Sequence, residues 1–151
     1  MEISVVLPCL NESETVGACI KKAKKQIKNL NIKGEIIVAD NGSNDGSIQI
    51  AKKLGAIVIN VKNKGYGNVL RAGIKKSKGK FILIADADDS YNLNDLPKFY
   101  RKINQGFDII QGCRLPRGGG KIKPGAMPLS HKYLGNPLFS FLTKTLYKIP
   151  F

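Results

Sequence analysis

Tryptophan is absent from this chain, and histidine and cysteine are scarce. The 151 residues include one histidine, His131, and three cysteines, Cys9, Cys19 and Cys113. The cysteines lie far apart and form no Cys-x-x-Cys pair, so the sequence predicts neither a zinc ribbon nor a disulfide framework. We expect reduced thiols in a cytoplasmic protein. The single histidine has no partner with which to form a metal site or a nucleophile–base pair.

Long apolar runs are missing as well. The longest aliphatic stretches have the length of a strand, and the N-terminus leads from Met1 straight into the apolar residues 3–7. No basic region followed by a long apolar core is present, so the sequence predicts neither a signal peptide nor a transmembrane span. The expected location is the cytoplasm, with peripheral contact at the inner face of the membrane left open. The oligomeric state is open too.

Acidic residues are outnumbered by basic ones. The chain has 25 Lys and Arg against 11 Asp and Glu, a formal net charge of +14. Such an excess favours an anionic partner: a nucleic acid, an anionic lipid or a phosphorylated substrate. No acidic residue follows Asp108, whereas seven of the basic residues do: Arg114, Arg117, Lys121, Lys123, Lys132, Lys144 and Lys148. This last segment is predicted to face anions.

Short apolar runs alternate regularly with helical patterns. The predicted strands lie near 3–7, 35–40, 56–61, 81–86 and 107–112, and the predicted helices near 14–30, 46–54, 66–77 and 95–105. This alternation predicts an α/β fold with a mostly parallel sheet flanked by helices. In the first helix one stripe is predicted to be core: Val16, Ile20, Ala23, Ile27 and Leu30.

The pattern changes after residue 112. Residues 113–130 read as a long loop that contains three consecutive glycines, and residues 133–147 read as an amphipathic helix. We therefore expect an α/β domain at 1–112 and the start of a further region at 113–151. The last helix either packs on the sheet or lies against a membrane or another domain.

Two aspartates one residue apart are the most specific chemical feature. Asp86 and Asp88 follow the apolar run at 81–85, which predicts a buried strand whose end carries both carboxylates into a cleft. Such a pair is costly to hold together unless a cation lies between the acids. Mg²⁺ and Mn²⁺ prefer oxygen ligands, which they often share with phosphates. A divalent metal site for a nucleotide is predicted, with a solvated turn as the alternative.

Other acidic residues follow the first and second predicted strands. Glu12 comes after the first strand, and Asp40 ends the second, with Ser43 and Asp45 in the turn beyond it. The carboxyl ends of parallel strands share the edge at which doubly wound sheets bind ligands. Asp40 or Asp45 could accept hydrogen bonds from a base or a ribose, and Ser43 could cap the next helix. Carboxylates from three strands at one edge predict a ligand that compensates their charge.

A glycine-rich segment follows the third predicted strand. Residues 64–73 contain glycines that superficially resemble a dinucleotide fingerprint, but the strand is the wrong one and the final spacing differs. A nicotinamide site is therefore excluded, and the absence of a Gly-x-x-x-x-Gly-Lys-Ser/Thr motif argues against a P-loop. As the entry to a helix that carries Arg71, this segment is expected to approach a sugar or a phosphate.

The motifs, taken in order, resemble those of family 2 glycosyltransferases with the GT-A fold. They are Leu7-Pro8, Asn11-Glu12, Ala39-Asp40-Asn41-Gly42-Ser43 with Asp45-Gly46, Gly65-Tyr66-Gly67 and Asp86-Ala87-Asp88. The resemblance covers essentially the whole chain and implies a doubly wound sheet. Further along, Gly112-Cys113-Arg114 and Gly135-Asn136-Pro137 are similar to motifs of polyprenyl-phosphate or dolichyl-phosphate mannose and glucose synthases.

The resemblance also implies roles for individual residues. Donor binding would fall to Pro8, Glu12, Asp40, Ser43, Asp45, Arg71 and Asp86, with Pro8, Glu12 and Asp40 around the base and ribose. Asp86 and Asp88 would hold the Mg²⁺ or Mn²⁺ ion, with Asp88 as the more direct ligand and a catalytic residue. Arg114, also assigned to catalysis, and Arg117 would meet the donor diphosphate or the acceptor phosphate. Residues 1–112 would form the nucleotide-sugar-binding domain, and residues 113–151 the start of a truncated acceptor-side region.

The expected activity is transfer of a sugar, with inversion, from a UDP- or GDP-sugar to polyprenyl phosphate. A phosphate acceptor has its second pKa at about 6 and needs no general base, which suits the acid-free segment after Asp108. A saccharide acceptor, which normally needs such a base, is one alternative. Another is an incomplete nucleotide-sugar-binding module, because family domains generally continue well beyond this length. Nucleic-acid binding is not expected, because aromatic residues are sparse and no known binding motif is present.

Overall fold

The computed structural model describes residues 1–113, 128 and 130–147. The chain divides into two compact units, Met1–Ile110 and Gln111–Phe151. The functional division proposed from the sequence, at 1–112 and 113–151, stays a prediction. Among the described residues, no helix is both long enough and apolar enough to cross a lipid bilayer.

The first unit is built on a parallel four-stranded sheet. Its strands are β1 (Ile3–Cys9), β2 (Gly34–Asp40), β3 (Ile57–Asn60) and β4 (Phe81–Ile84), in the order β3-β2-β1-β4. The helices are α1 (Val16–Asn29), α2 (Ser47–Lys53), α3 (Tyr66–Lys76) and α4 (Leu96–Ile103). The strand order runs outward from β1 in both directions, so the doubly wound α/β class predicted from the sequence is confirmed.

The central strand β1 is buried along its whole length and separates two layers of helices. Successive side chains of a strand point to opposite faces. On one face Ile3, Val5 and Leu7 join a core cluster with α1, α2 and the start of α4. On the other face α3 packs against β1 and β2, with Gly73 directly over Val6. The stripe predicted for α1 lies in the core cluster, with Leu30 at its margin.

The prediction of a strand at 107–112 is wrong, because these residues are described and have no strand structure. A strand forms where its backbone groups find a partner edge and its alternating side chains find a surface to cover. Within the described part of the chain β4 pairs only with β1. Phe107 and Ile109 accordingly remain 52% and 86% exposed. Alternation of apolar and polar residues is therefore not sufficient evidence for a strand at 107–112.

In the second unit the described residues are mainly helical. A π-helical turn at His131–Gly135 leads into α5 (Asn136–Tyr147). The predicted helix at 133–147 is thus present, and it carries Leu138, Phe139, Phe141, Leu142 and Leu146. Which surface these side chains pack against stays a prediction.

Replacing Gly73 with alanine tests the packing of α3 on β1. The added Cβ would collide with Val6 Cγ1, and overpacking of this kind costs about 1–3 kcal/mol. We expect Gly73→Ala to lower the denaturation midpoint in urea accordingly. Gly67→Ala, in the same helix with no atom within 4 Å of the added Cβ, is the control and should leave the midpoint unchanged or slightly raised. Equal midpoints for the two variants would contradict this packing.

Candidate functional site

The carboxyl ends of β1, β2 and β4 meet at one edge of the sheet. Beyond the last pair of β1 and β2, the Asn41 amide donates to the Cys9 carbonyl at 3.0 Å. On the other side of β1, the Ala87 amide donates to the Pro8 carbonyl at 3.3 Å, which extends the pairing past the end of β4. The loops that carry Glu12, Asp40, Asp86 and Asp88 therefore start from neighbouring backbone positions.

The loops after β1 and β2 are joined by hydrogen bonds between backbone amides and side chains. Four such bonds cross between them, at 2.8 to 3.0 Å: Asn11 N to Ser43 Oγ, Glu12 N to Ser47 Oγ, Ser13 N to Asp45 Oδ2, and Asn44 N to Asn11 Oδ1. Ser43 does not cap α2, because its hydroxyl accepts from Asn11 and Gly46 occupies the cap position. The two loops form one framework.

Asp40 is a structural part of this framework. Its side chain is 1% exposed, and its carboxylate accepts from the amides of Gly42 at 2.8 Å and Ser43 at 3.1 Å. Gly42 has a φ of 99°, a conformation that favours glycine. The carboxylate therefore stabilises the tight turn after β2, and its predicted contact with the base or ribose of a donor stays a prediction.

Asp45 and Glu12 also bind groups of their own chain. The Asp45 carboxylate accepts from the Ser47 hydroxyl at 2.5 Å and the Ser47 amide at 3.0 Å, in addition to Ser13. These bonds, above all that from the Ser47 hydroxyl, hold the pKa of Asp45 well below its usual range. Glu12 Oε2 accepts from the Thr15 hydroxyl at 3.0 Å, next to the start of α1. Both residues lie where the sequence predicted, with carboxylates engaged by protein donors.

A basic cavity opens beside the turn after β2. It has a volume of about 320 Å³ and is lined by Asp40, Gly42, Ser43, Ile48, Asn60, Val61, Lys62 and Lys64. Buried Asn41 shapes it by donating to the carbonyls of Val61 and Asn63 and accepting from the Gly65 amide at 2.9 Å. The Lys64 ammonium donates to the Asn41 carbonyl.

Sequence reasoning missed Lys62 as a residue of this cavity, and it included Lys64 only as the first residue of the glycine-rich segment 64–73. The available signal was the position of the two lysines, both of which lie just before the glycine-rich entry to α3. Arg71, which sequence reasoning did select, lies farther along α3, is exposed, and makes no hydrogen bond or ion pair with the described residues. The basic groups beside the turn after β2 are therefore lysines from the loop after β3.

The acidic loop after β4 is anchored by its backbone. Ala85 donates to the Val6 carbonyl at 3.1 Å, and the buried Cys19 thiol lies 3.5 Å from the Ala87 carbonyl oxygen. Burial is the main cause that raises the pKa of Cys19 to about 11, so this thiol stays protonated and can donate. The backbone around Asp86 and Asp88 is thereby held against β1 and α1.

Asp86 and Asp88 differ in their partners. Asp86 Oδ1 accepts from the Tyr66 hydroxyl at 2.8 Å. Burial, followed by this bond to Asp86, raises the pKa of Tyr66 to about 12, so the phenol remains a donor at neutral pH. Asp88 is exposed, and its Oδ1 accepts from the Ser90 amide at 2.9 Å. Both carboxylates retain oxygen lone pairs for a ligand.

The donor set of this loop fits a hard divalent cation that is shared with a phosphorylated ligand. Within the described ranges no group of three or more His, Cys, Asp or Glu side chains is close enough to form an all-protein metal site. Mg²⁺ is often bound by one or two carboxylates, with water and substrate phosphates completing its shell. Asp86 and Asp88 suit that arrangement. Arg114 and Arg117, the predicted catalytic and acceptor-binding residues, lie outside the described residues.

Comparison with known protein families gives one match across nearly the whole chain. The sequence profile of Glycosyl transferase family 2 matches residues 4–148. The low-salt glycan biosynthesis hexosyltransferase Agl6 of Haloferax volcanii is 38% identical over 146 residues, which cover 96% of this chain and 34% of that protein. The dolichyl-phosphate hexose transferase of the same organism is 31% identical over 117 residues, or 78% of this chain and 50% of that protein.

Solved structures of similar fold are glycosyltransferases of the GT-A class. Glucosyl-3-phosphoglycerate synthase from Mycobacterium tuberculosis, crystallised with Mn²⁺, UDP-glucose and phosphoglyceric acid, superposes with a TM-score of 0.61 at 26% identity. The match covers 70% of this chain and 40% of that one. Mannosyl-3-phosphoglycerate synthase from Rubrobacter xylanophilus gives a TM-score of 0.55 at 27% identity, over 58% of this chain and 31% of that one. The chain thus spans about a third to a half of the length of these relatives.

The low pKa of Asp45 predicts a pH-dependent contribution to stability. A carboxylate whose pKa is depressed by folding stabilises the native state above its unfolded pKa of about 3.9, and this contribution is lost as the pH falls towards the folded value. Asp45→Asn should therefore lower the melting temperature at pH 7, and the gap to the wild type should narrow below about pH 4. Asp108→Asn, at an exposed carboxylate, is the control in the same thermal scans. A gap of constant size from neutral to acidic pH would contradict the assignment.

Proposed function

Because this chain belongs to Glycosyl transferase family 2, we propose that it binds a UDP- or GDP-sugar with a divalent metal ion and takes part in transfer of the sugar to polyprenyl phosphate. The observation that carries the proposal is the exposed Asp88 beside Asp86, on a loop anchored to the central strand at the edge where three strand ends meet. In doubly wound folds this edge is where ligands bind.

On the donor side, the proposal divides the site between its basic and its acidic loops. Lys62 and Lys64 line the cavity next to the turn that Asp40 holds in place, and ammonium groups bind phosphates as point charges. Asp86 and Asp88 would hold Mg²⁺ or Mn²⁺, with Asp88 as the more direct ligand. A bound divalent ion would neutralise charge on the departing nucleoside diphosphate.

The acceptor is proposed from the charge of the last segment and from the relatives. A phosphate oxygen is already ionised near neutrality, since its second pKa is about 6, so inverting attack on the anomeric carbon needs no general base. No acidic residue follows Asp108 in this chain, and one relative is named a dolichyl-phosphate hexose transferase. Arg114 and Arg117 are the proposed partners of the phosphate, and peripheral membrane contact would give access to a lipid acceptor.

Nucleotide binding by Asp88→Asn tests the donor site. Calorimetry with UDP and with GDP, each with and without Mn²⁺, should give metal-dependent binding by the wild-type chain. Removing a residue that hydrogen-bonds to a metal ligand lowers metal affinity about 10–100-fold. Removing the ligand itself should therefore weaken Mn²⁺-dependent nucleotide binding at least tenfold. Asp108→Asn is the matched control and should bind as the wild type does. Unchanged affinity in Asp88→Asn would refute the metal assignment.

Transfer assays distinguish the acceptors. The chain is incubated with radiolabelled UDP-glucose or GDP-mannose, Mn²⁺, and in separate reactions polyprenyl phosphate, phosphoglyceric acid or a free saccharide. We expect label in the organic extract of the polyprenyl phosphate reaction alone. Label on the saccharide or on phosphoglyceric acid would show that this compound is the acceptor instead of the lipid phosphate. Metal-dependent donor binding without transfer to any acceptor would instead support a nucleotide-sugar-binding module, the second candidate for a chain that spans a third to a half of its relatives.

A further inference from the structure

A lysine of helix α1 forms an ion pair with the acidic loop after β4. The Lys22 ammonium donates to both carboxylate oxygens of Asp89, at 2.8 and 2.6 Å. The two side chains are 34% and 29% exposed, so the pair is partly shielded from water. One turn earlier in the same helix, Cys19 contacts the carbonyl oxygen of Ala87. The same thiol lies 3.7 Å from Asp89 Oδ1, so helix α1 contacts the loop on both sides of Asp88.

The backbone at Asp89 gives this pair a positional role. Asp89 has a φ of 59°, in the left-handed region that non-glycine residues seldom adopt and that aspartate and asparagine tolerate best. The chain bends at this residue, directly after the turn at 87–88. An ion pair that immobilises the Asp89 side chain therefore also constrains the direction in which Asp88 leaves the sheet.

Asp88 is the only exposed member of the three consecutive residues 87–89. Its predecessor is fixed by the bond from the Ala87 amide to the Pro8 carbonyl and by Cys19, and its successor by Lys22. The side chain at the centre remains open to solvent. A ligating residue needs fixed neighbours and an accessible carboxylate, because preorganisation of the ligand depends on the groups around it.

The charges of the loop after β4 also indicate Asp88 as a ligand of a cation. Asp86, Asp88 and Asp89 place three carboxylates within four residues. Lys22 engages both oxygens of one of them, so that two carboxylates remain for a cation.

We propose that Lys22 is a positioning residue, which holds Asp89 towards α1 and thereby sets the geometry of Asp88 for a divalent cation shared with a nucleoside diphosphate. The proposal rests on the proposed function, because it concerns the same cation. It assigns to Lys22 an effect on metal-dependent binding that differs from a general contribution to stability.

The test compares four substitutions in the 151-residue chain. Lys22→Met removes the ammonium, Lys22→Arg keeps a cation, and Asp89→Gly removes the carboxylate while tolerating the left-handed backbone. Lys25→Met is the control, because Lys25 is exposed on the same helix and makes no ion pair among the described residues. Binding of Mn²⁺ is followed by electron paramagnetic resonance with UDP or GDP present, and metal-free nucleotide binding by calorimetry.

We expect Lys22→Met and Asp89→Gly each to weaken Mn²⁺ binding in the presence of the nucleotide about tenfold, in the range for outer partners of metal ligands. The double variant should lose no more than either single one, because both remove the same pair. Metal-free nucleotide binding should change less than about twofold, since Asp89 is proposed to act through the cation. Lys22→Arg and Lys25→Met should bind Mn²⁺ as the wild type does.

The two proposals fail in distinguishable ways. If the wild type binds Mn²⁺ with the nucleotide and Lys22→Met binds it equally well, the positioning role is refuted and the proposed function stands. If Lys22→Met weakens metal-free and metal-dependent nucleotide binding to the same extent, the pair is merely structural and the inference is overturned. The inference is also overturned if the losses of Mn²⁺ affinity in Lys22→Met and Asp89→Gly add up in the double variant. Absence of Mn²⁺-dependent nucleotide binding in the wild type would refute the proposed function, and the inference with it.

Discussion

The structure depends on the position of β1 at the centre of a parallel sheet. Because β1 pairs with β2 on one side and β4 on the other, the loops that leave β2 and β4 both start beside its carboxyl end. The carbonyls of Cys9 and Pro8 each accept from the first residues of one of these loops. A core of apolar side chains, buried on both faces of β1, fixes this arrangement. The acidic loops of the candidate site lie side by side because of that placement.

The acidic residues at this edge have two different tasks. Asp40 and Asp45 accept hydrogen bonds from backbone amides in their own loops, which stabilises turns that would otherwise leave donors unsatisfied. Asp86 accepts from a tyrosine on α3, and Asp88 reaches solvent. Asp40 and Asp45 thus have a structural role within their own loops, and their predicted contact with a donor stays a prediction. Between Asp86 and Asp88, Asp88 is the more exposed residue.

The sequence predicted most elements of the fold, because period-two and period-3.6 patterns report local burial. It failed at 107–112, where the pattern was present but the segment pairs with neither β3 nor β4, the edge strands of the described sheet. The hydrogen bonds that Asp40 and Asp45 accept within their own loops could not be read from composition, since turn aspartates and ligand-binding aspartates have the same local sequence. Lys22 was also missed: 67 positions separate it from Asp89, and the sequence showed it only as one of several lysines on a solvated helix face.

The local charges at the site reconcile a chain of net charge +14 with an acidic loop. Backbone amides offset the charge of Asp40 and Asp45, and Lys22 offsets that of Asp89. Lys62 and Lys64 line the cavity beside Asp40. Among the residues that the structure describes, Asp86 and Asp88 are the carboxylates of the acidic loop that form no ion pair. A ligand that presents a cation to these carboxylates and anionic oxygens to the lysines would match both parts, and a metal-bound diphosphate has that distribution of charge. Neither a bare cation nor a bare anion would satisfy both.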